Sequence, residues 1–374
     1  MTPGTVLGPR LVEGLVRLSV WMPFRQACSL LAYFTGVQVS HETARRQCLA
    51  AGNALVQAET EMARWVLAEL PEPGGEAVAH QQVSVDGAMV PLLGEWAEVK
   101  TLAIGVVQPP AGGAQARSSQ VSYFCRLSDA ATFTELATLE THRRATSRAG
   151  RVTAVVDGAE WIQEFLALQC PQATRVLDWA HASSYLAEAA TALFSEPTQR
   201  ETWRQARLRE LTEASPEAVI AEVELQAKLL SPGSEPAQVL GRVLGYLGRR
   251  RGQMRYADFR RAGLPIGSGM VESANKLVVQ ARLKGAGMRW RRANVNPMLA
   301  LRTLDCSQRW TSTWPLLHQY RGRRAVEAAH ARFLLLHPPS PPTHRPPRVI
   351  DARPTHDHPW RRFRLPGSPP RAKT

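Results

Sequence analysis

The order in which helix-like and strand-like segments follow one another is the feature of this sequence that most restricts its fold. After an N-terminal stretch of helical patterning come three β-rich runs with short connections, which predict an antiparallel meander. A helix, an apolar strand, a short helix and a last strand follow, so we expect a mixed sheet flanked by helices. These segments are a helical region at 11–67, strands at 83–90, 96–107, 121–127, 151–156 and 174–177, and helices at 129–146 and 161–168.

The rest of the chain shows helical patterning up to a proline- and arginine-rich tail. Helix is predicted from Tyr185 to Arg261 with polar breaks, over 270–283, and again from Pro297 to Leu336. The tail lacks the apolar residues needed for a core and is predicted to be disordered. The predicted regions are a helical N-terminal region (1–75), the first part of the sheet domain (80–181), an all-helical insertion (182–264), the second part of the sheet domain (265–337) and the tail (338–374).

The positive charge of the chain is concentrated in two places. The chain carries a formal net charge of +14, and residues 241–292 hold +11, with thirteen Lys and Arg against Asp258 and Glu272. The tail adds +6, which leaves the remainder of the chain at −3. A concentrated basic block suggests a surface that neutralises phosphates, so we expect a nucleic acid as the partner.

Composition argues against other classes of protein. A hydrophobic fraction of 44% is enough for a sizeable core. No apolar run reaches the roughly 18 residues of a membrane span, and the first residues lack the order of a secretion signal. Five scattered cysteines without a CxxC pair argue against a disulfide framework or a zinc knuckle. We therefore expect a cytoplasmic protein with no membrane partner and with buried, reduced thiols.

The segment 24–52 is a candidate helix-turn-helix. Pro23 is well placed to open a helix, Thr35-Gly36-Val37 reads as a turn, and Ser40 is a good N-cap for the next helix. That second helix would present Arg45, Arg46 and Gln47 to DNA. The alternative is a plain helical hairpin with solvated arginines.

Three aspartates lie at the ends of predicted strands, and two of them, Asp86 and Asp157, are candidate metal ligands. Asp86 interrupts an apolar strand, Asp157 follows the apolar run at 153–156, and each is followed by glycine. A carboxylate next to a buried strand is costly unless it is paired or binds a metal. Each aspartate alone could instead cap a turn or a helix. Asp178 belongs to Asp178-Trp179-Ala180-His181, in which both Asp178 and His181 could face the same sheet edge, or Asp178 could simply be the N-cap of a helix.

Glu272 is the best candidate for a third metal-binding acid. It lies near the start of a predicted helix and is one of only two acids in the basic block. Hard carboxylate oxygens suit Mg²⁺ or Mn²⁺, and two such ions can catalyse in-line displacement at phosphorus. An ordinary first-turn glutamate that complements the helix dipole is the alternative. The basic residues predicted to contact DNA phosphates in and near the block are Arg249, Arg250, Arg251, Lys276, Arg282, Lys284 and Arg289.

Four segments in this order resemble bacterial insertion-sequence DDE transposases of the ISKra type, which are related to Mutator-like transposases. They are Val83–Val90 with Glu95–Lys100, Val156–Ile162, Leu177–His181, and Ile266–Glu272 continuing to Trp290. The resemblance covers about residues 20–310 and implies an RNase H-like catalytic domain with a helical insertion before the glutamate. It also implies Asp86, Asp157 and Glu272 as the ligands of two Mg²⁺ (or Mn²⁺) ions, with Asp178 and His181 at the edge of the site.

The leading hypothesis from the sequence is therefore a DNA transposase located at the bacterial nucleoid. It would cut the terminal inverted repeats of its element and join the freed 3′-OH to target DNA, acting as a homodimer or higher oligomer on double-stranded DNA. Two alternatives remain open at this point. One is a catalytically inactive or repurposed DNA-binding protein, and the other is an RNase H-like nuclease that hydrolyses without strand transfer.

Overall fold

The computed structural model of the chain describes residues 7–108 and 116–336. Its centre is one five-stranded mixed sheet with the strand order β3-β2-β1-β4-β5. Strands β1, β2 and β3 pair antiparallel, whereas β4 pairs parallel to β1 and β5 pairs parallel to β4. The strands are β1 (Gln81–Pro91), β2 (Trp96–Gln108), β3 (Arg117–Arg126), β4 (Val152–Val156) and β5 (Thr174–Leu177).

This sheet confirms the predicted meander of three strands followed by two further strands, and its order is consistent with an RNase H-like topology. The prediction was wrong about the position of Asp86, which lies in the middle of the eleven-residue strand β1 and not at a strand end. The reason is that β1 continues beyond Asp86 through its antiparallel pairing with β2, where Asp86 is opposite Thr101. Its parallel pairing with β4 covers only residues 81–83.

The two faces of the sheet are covered by different helices. Helices α4 (Ala130–Arg143) and α5 (Glu160–Gln169) pack on one face, where Phe133 and Phe165 lie against Val83 and Val85. The other face packs against the N-terminal helices and the later helix α13, around Val90 and Val99. The sheet is therefore the middle layer of a three-layer arrangement, as expected for strands that are buried on both sides.

The N-terminal helices share a core with the sheet. They are α1 (Pro9–Trp21), α2 (Phe24–Thr35) and α3 (His41–Glu69). The predicted turn and cap are confirmed, since Gly36 ends α2 and the Ser40 hydroxyl accepts from the Thr43 N–H at the start of α3. Gly52 lets α3 approach α13 closely, because a Cβ there would lie 2.8 Å from Cα of Pro297. Whether this pair of helices reads DNA stays a prediction.

The predicted helical segment after β5 is confirmed, although it starts before the predicted boundary at 182. Its helices are α6 (Trp179–Leu193), α7 (Pro197–Glu213), α8 (Pro216–Lys228), α9 (Glu235–Arg249) and α10 (Tyr256–Arg261). Leu186, Leu211, Val223 and Val243 are among the residues that form its core, and Leu177 of β5 belongs to the same cluster. This shared cluster joins the helical segment to the edge strand of the sheet.

A helical stretch that carries Glu272 follows the insertion. It consists of α11 (Gly269–Ala274), a π-helical segment (Asn275–Gln280) and α12 (Ala281–Leu283). Helices α13 (Arg292–Cys306) and α14 (Trp310–Leu336) come next. The prediction of one helix from Pro297 was wrong in two respects, since the helix begins five residues before Pro297 and the chain is not helical at 307–309. Pro297 lies inside α13, where it lacks the backbone donor of one helical hydrogen bond. Gln308, with φ of 58°, lies between α13 and α14.

Residues 323–374 form a unit separate from 1–322, and its described part, 323–336, is the last section of α14. The predicted disordered tail at 338–374 lies outside the described residues. Among the helices of the described ranges, none is both long enough and apolar enough to cross a membrane.

Candidate active site

The three aspartates singled out in the sequence belong to three neighbouring strands or follow them directly. Val83 of β1 pairs with Ala154 of β4 where their parallel pairing ends, and Asp86 and Asp157 each follow three residues later. Val156 of β4 pairs with Leu177 of β5, so the next residues, Asp157 and Asp178, are level. Adjacent strands lie about 4.8 Å apart. The parallel register therefore brings these acids together at the carboxyl end of β4 and β5.

Asp86 is half-buried and has a defined hydrogen-bonding environment. Its Oδ1 accepts from the Gly87 N–H at 2.7 Å, and its Oδ2 accepts from Nδ2 of Asn275 at 2.8 Å. Burial raises the pKa of Asp86 above its ordinary value; the Gly87 hydrogen bond opposes this shift, and the negative charges of Asp157 and Glu272 add to it. The nearby His181 acts in the opposite direction. The structure thus places Asp157, Glu272 and His181 within electrostatic range of Asp86.

Asp157 lies in a loop that the helical insertion holds in place. Its Oδ1 accepts from the Ala159 N–H at 2.9 Å, and its backbone carbonyl accepts from the hydroxyl of Tyr246 on α9. The next carbonyl, that of Gly158, accepts from Nε of Arg250 at 2.7 Å. Gly158 has φ of 81°, and a Cβ there would overlap the Arg250 side chain. Glycine at position 158 is therefore required by the close approach of Arg250, at the end of α9, to this loop.

Tyr246 and Arg250 form an ordered stack behind this loop. The ring of Tyr246 stacks on Tyr185 of α6 with centroids 3.8 Å apart, and the Arg250 guanidinium lies 4.6 Å from the Tyr246 centroid. Arg250 also forms an ion pair with Glu160 at 3.0 Å. These contacts fix both side chains, so they present fixed donors to the Asp157 loop.

Asp178 is buried and connects two segments of the backbone. Its Oδ2 accepts from the His181 N–H at 3.2 Å as the N-cap of α6, and its Oδ1 accepts from the Ser268 N–H at 2.7 Å. The Trp179 N–H donates to the Ile266 carbonyl at 3.0 Å beside it. Asp178 thus holds the loop that leads into α11 against the end of β5. His181 itself is exposed in the first turn of α6.

Glu272 is exposed on α11. Asn275, three positions later, is a site residue that the sequence did not predict. Oε1 of Glu272 lies 3.5 Å from the Ser268 hydroxyl. Asn275 is only 5% exposed; it donates to Asp86, while its own Oδ1 has no partner. Residues at i and i+3 lie on the same side of a helix. That spacing is the sequence signal that would have found Asn275 once Glu272 was chosen.

The chemistry of this donor set fits a hard divalent cation. Asp86, Asp157 and Glu272 supply carboxylate oxygens, and Asn275 supplies a buried carbonyl oxygen without a hydrogen bond, which are the ligand types that Mg²⁺ prefers. Across residues 7–108 and 116–336, no three Asp, Glu, His or Cys side chains are grouped closely enough to hold an ion. The arrangement thus brings suitable ligands into one region without a preformed coordination shell.

Two of the cations predicted to contact DNA are buried and so are not part of an exposed basic surface. Arg250 is 4% exposed, and its Nε and Nη2 donate to the Gly158 carbonyl and to Glu160. Arg282 is 2% exposed, and its Nε donates to the Ser19 carbonyl at 3.0 Å. Spacing within a basic block cannot reveal burial, because burial depends on which helix packs over each side chain.

The other predicted DNA contacts remain at the surface. Arg45 is half-buried and forms an ion pair with Glu42 at 2.6 Å, and Gln47 is half-buried next to it on α3. Lys284 lies 5.7 Å from the ring centroid of Trp96. The exposed members of the set are Arg46, Arg249, Arg251, Lys276, Lys284 and Arg289.

Comparison with known proteins adds no assignment to this geometry. No protein-family model matches the chain, and a search of curated proteins finds no match either.

Proposed function

We propose that this protein is a metal-dependent DNA transposase of the DDE type, with an RNase H-like catalytic core that contains a helical insertion. The observation that carries the proposal is that Asp157 and Glu272 both lie within electrostatic range of Asp86, which is on the strand next to β4. Two exposed cations follow Glu272: Lys276 lies on the same helical stretch, and Lys284 directly follows the end of that stretch. Acidic metal ligands beside phosphate-binding cations suit phosphodiester chemistry on a nucleic acid.

In this proposal Asp86, Asp157 and Glu272 would hold two Mg²⁺ or Mn²⁺ ions, with the Asn275 carbonyl oxygen close by. Ions in such a site activate the attacking oxygen and stabilise the leaving oxygen. The protein's own part is to fix the ligands: Asn275 orients Asp86, while Tyr246 and Arg250 fix the loop of Asp157. Asp178 and the adjacent backbone bonds fix the loop before Glu272.

The direct test is DNA nicking and strand transfer with a supercoiled plasmid that carries this gene and its flanking DNA. We expect Mg²⁺-dependent cleavage and joining. Asp86→Asn, Asp157→Asn and Glu272→Gln should each reduce it by at least about a hundredfold, since a metal contributes several kcal/mol to such a transition state. The matched control is Glu164→Gln, an exposed acid on α5, which should retain full activity. Full activity of the Glu272→Gln variant would contradict the proposed site.

A non-catalytic DNA-binding protein is the second candidate, and one observation favours it. The described part of the chain contains no group of acids already close enough to hold an ion. Isothermal titration with Mg²⁺ and Mn²⁺ separates the two candidates. A transposase should bind either ion at a site that Asp86→Asn removes, whereas a non-catalytic binder should bind DNA normally without such a site.

A further inference from the structure

A basic cleft lies apart from the acidic residues, between the N-terminal helices and the segment that precedes α13. It has a volume of about 550 Å³. Side chains that line it include Phe24 and Arg45 from α2 and α3, Arg282 from α12, and Arg289, Trp290 and Arg291 from the loop after α12. Two regions more than 200 residues apart in the sequence therefore contribute cations to one concave surface.

Arg282 is a buried cation at this cleft without a counter-ion. Its Nε is bound to the Ser19 carbonyl, and its guanidinium carbon lies 5.1 Å from the ring centroids of both Phe24 and Trp290. Within the described ranges no carboxylate pairs with it, and burial lowers its pKa to about 10. A buried charge without a partner is costly, and an anion in the cleft would offset that cost.

The remaining charges of the cleft have the same sign. Arg45 is tied to Glu42, which is the one acid among the lining residues, through two hydrogen bonds of 2.8 and 2.6 Å. Arg289 and Arg291 are exposed, and neither has an ion-pair partner in the part of the chain that the structure describes. Four arginines face one glutamate, so the cleft keeps an excess of positive charge. Guanidinium groups match the geometry of phosphate oxygens.

We propose that this cleft binds a backbone phosphate of DNA, with Arg282 as the buried contact and Arg289 and Arg291 as the exposed ones. The identity of the nucleic acid rests on the proposed function. Arg282 follows Glu272 by ten residues on one helical stretch, which places the cleft about 15 Å along the helix from the acidic site. That separation is roughly the length of four to five base pairs, so one duplex is long enough to reach both places.

The test is DNA binding measured without chemistry. Binding of the full chain to a fluorescein-labelled 30-base-pair duplex is followed by anisotropy in EDTA over a range of salt concentrations. Arg289→Ala and Arg291→Ala should each weaken binding about tenfold at low salt, as expected for one charged hydrogen bond. Each should also lower the slope of log affinity against log salt by roughly 0.9. Arg260→Ala is the matched control, because Arg260 is exposed in the same basic block but lies on α10 outside the cleft.

Equal affinities and slopes for Arg289→Ala, Arg291→Ala and Arg260→Ala would overturn the proposal. A thermal-shift titration with inorganic phosphate separates a free anion from DNA. If inorganic phosphate stabilises the native chain but neither arginine variant, and both variants bind DNA normally, the cleft is a small-anion site. That outcome would also overturn the proposal. Glu272→Gln should not weaken duplex binding, because it keeps every arginine of the cleft and removes a negative charge. Loss of cleavage in that variant therefore tests the proposed function, whereas the arginine variants test the cleft.

Discussion

The backbone N–H of Ser268 donates to Oδ1 of Asp178 at 2.7 Å, and this bond ties the end of β5 to the loop that leads to Glu272. The same carboxylate is the N-cap of α6. A single buried side chain thus sets the position of the helical insertion and of the glutamate relative to the sheet. The two bonds of Asp178 explain how residues about 90 positions apart in the sequence meet at one end of β4 and β5.

Asp178→Ala should destabilise the protein by roughly 2–4 kcal/mol, because it removes a helix cap and a charged hydrogen bond inside the protein. Urea unfolding measures this loss. Asp129→Ala is the matched control, since Asp129 caps α4 at the surface through the Thr132 N–H and has no bond to the Glu272 loop. That control should cost only about 1 kcal/mol. Equal losses in the two variants would contradict the linking role of Asp178.

Gly158→Ala should destabilise the protein by more than about 2 kcal/mol, since φ of 81° is unfavourable for alanine and the new Cβ would overlap Arg250. Denaturant unfolding of the purified variant checks this value. Gly241→Ala is the control on the exposed side of α9, where a Cβ meets open space. It should be neutral or stabilise the helix by up to about 1 kcal/mol. A Gly158→Ala variant as stable as the native chain would show that α9 does not constrain the loop.

Tyr246→Phe should cost about 1 kcal/mol, the contribution of one hydrogen bond, because it removes the donor to the Asp157 carbonyl and keeps the ring stack. Burial raises the pKa of Tyr246, so the hydroxyl keeps its proton at neutral pH. The proposed function adds a second expected effect, a higher Mg²⁺ concentration at half-maximal cleavage. Tyr185→Phe is the control, because Tyr185 provides the other ring of the stack but its hydroxyl does not bind this loop. Identical Mg²⁺ dependence in both variants would argue against positioning through Tyr246.

Asn275→Leu should weaken Mg²⁺ binding about tenfold, because it removes the hydrogen bond that orients Asp86 and the buried carbonyl oxygen near it. The readout is the stabilisation of the folded protein by Mg²⁺ in a thermal-shift titration, which does not depend on DNA. Ser273→Ala is the control, since Ser273 is exposed on the same helical stretch. If the leucine variant and the serine variant respond equally to Mg²⁺, Asn275 has no part in the site.

Much of the strand arrangement could be predicted because the relevant signals are local. The apolar run at 153–156 and the alternating residues before Asp86 identify β4 and β1, and short connections identify the meander. The breaks in the helical insertion are likewise marked by proline, serine and glycine. The length of β1 could not be predicted, because its end is set by pairing with β2, a contact between two strands.

The site was predicted only in part, for a related reason. Asp157 can be recognised because a carboxylate directly after a buried strand is unusual, and Glu272 because it is one of only two acids in the basic block. Asn275 does not stand out, since an asparagine on a helix is common and its importance comes from a hydrogen bond to a strand 189 residues earlier. The same holds for Tyr246, which acts on a loop 89 residues away.

The sequence by itself therefore determined the order of helices and strands, the acids that stand at the sheet, and the concentration of positive charge. These are local properties, carried by periodicity, by strand-ending residues and by counts of charge. Only the tertiary structure decided which charges are buried: Arg250 serves the Asp157 loop, and Arg282 lies between two aromatic rings at a basic cleft. Burial and partner choice depend on packing between distant segments, which no local pattern records.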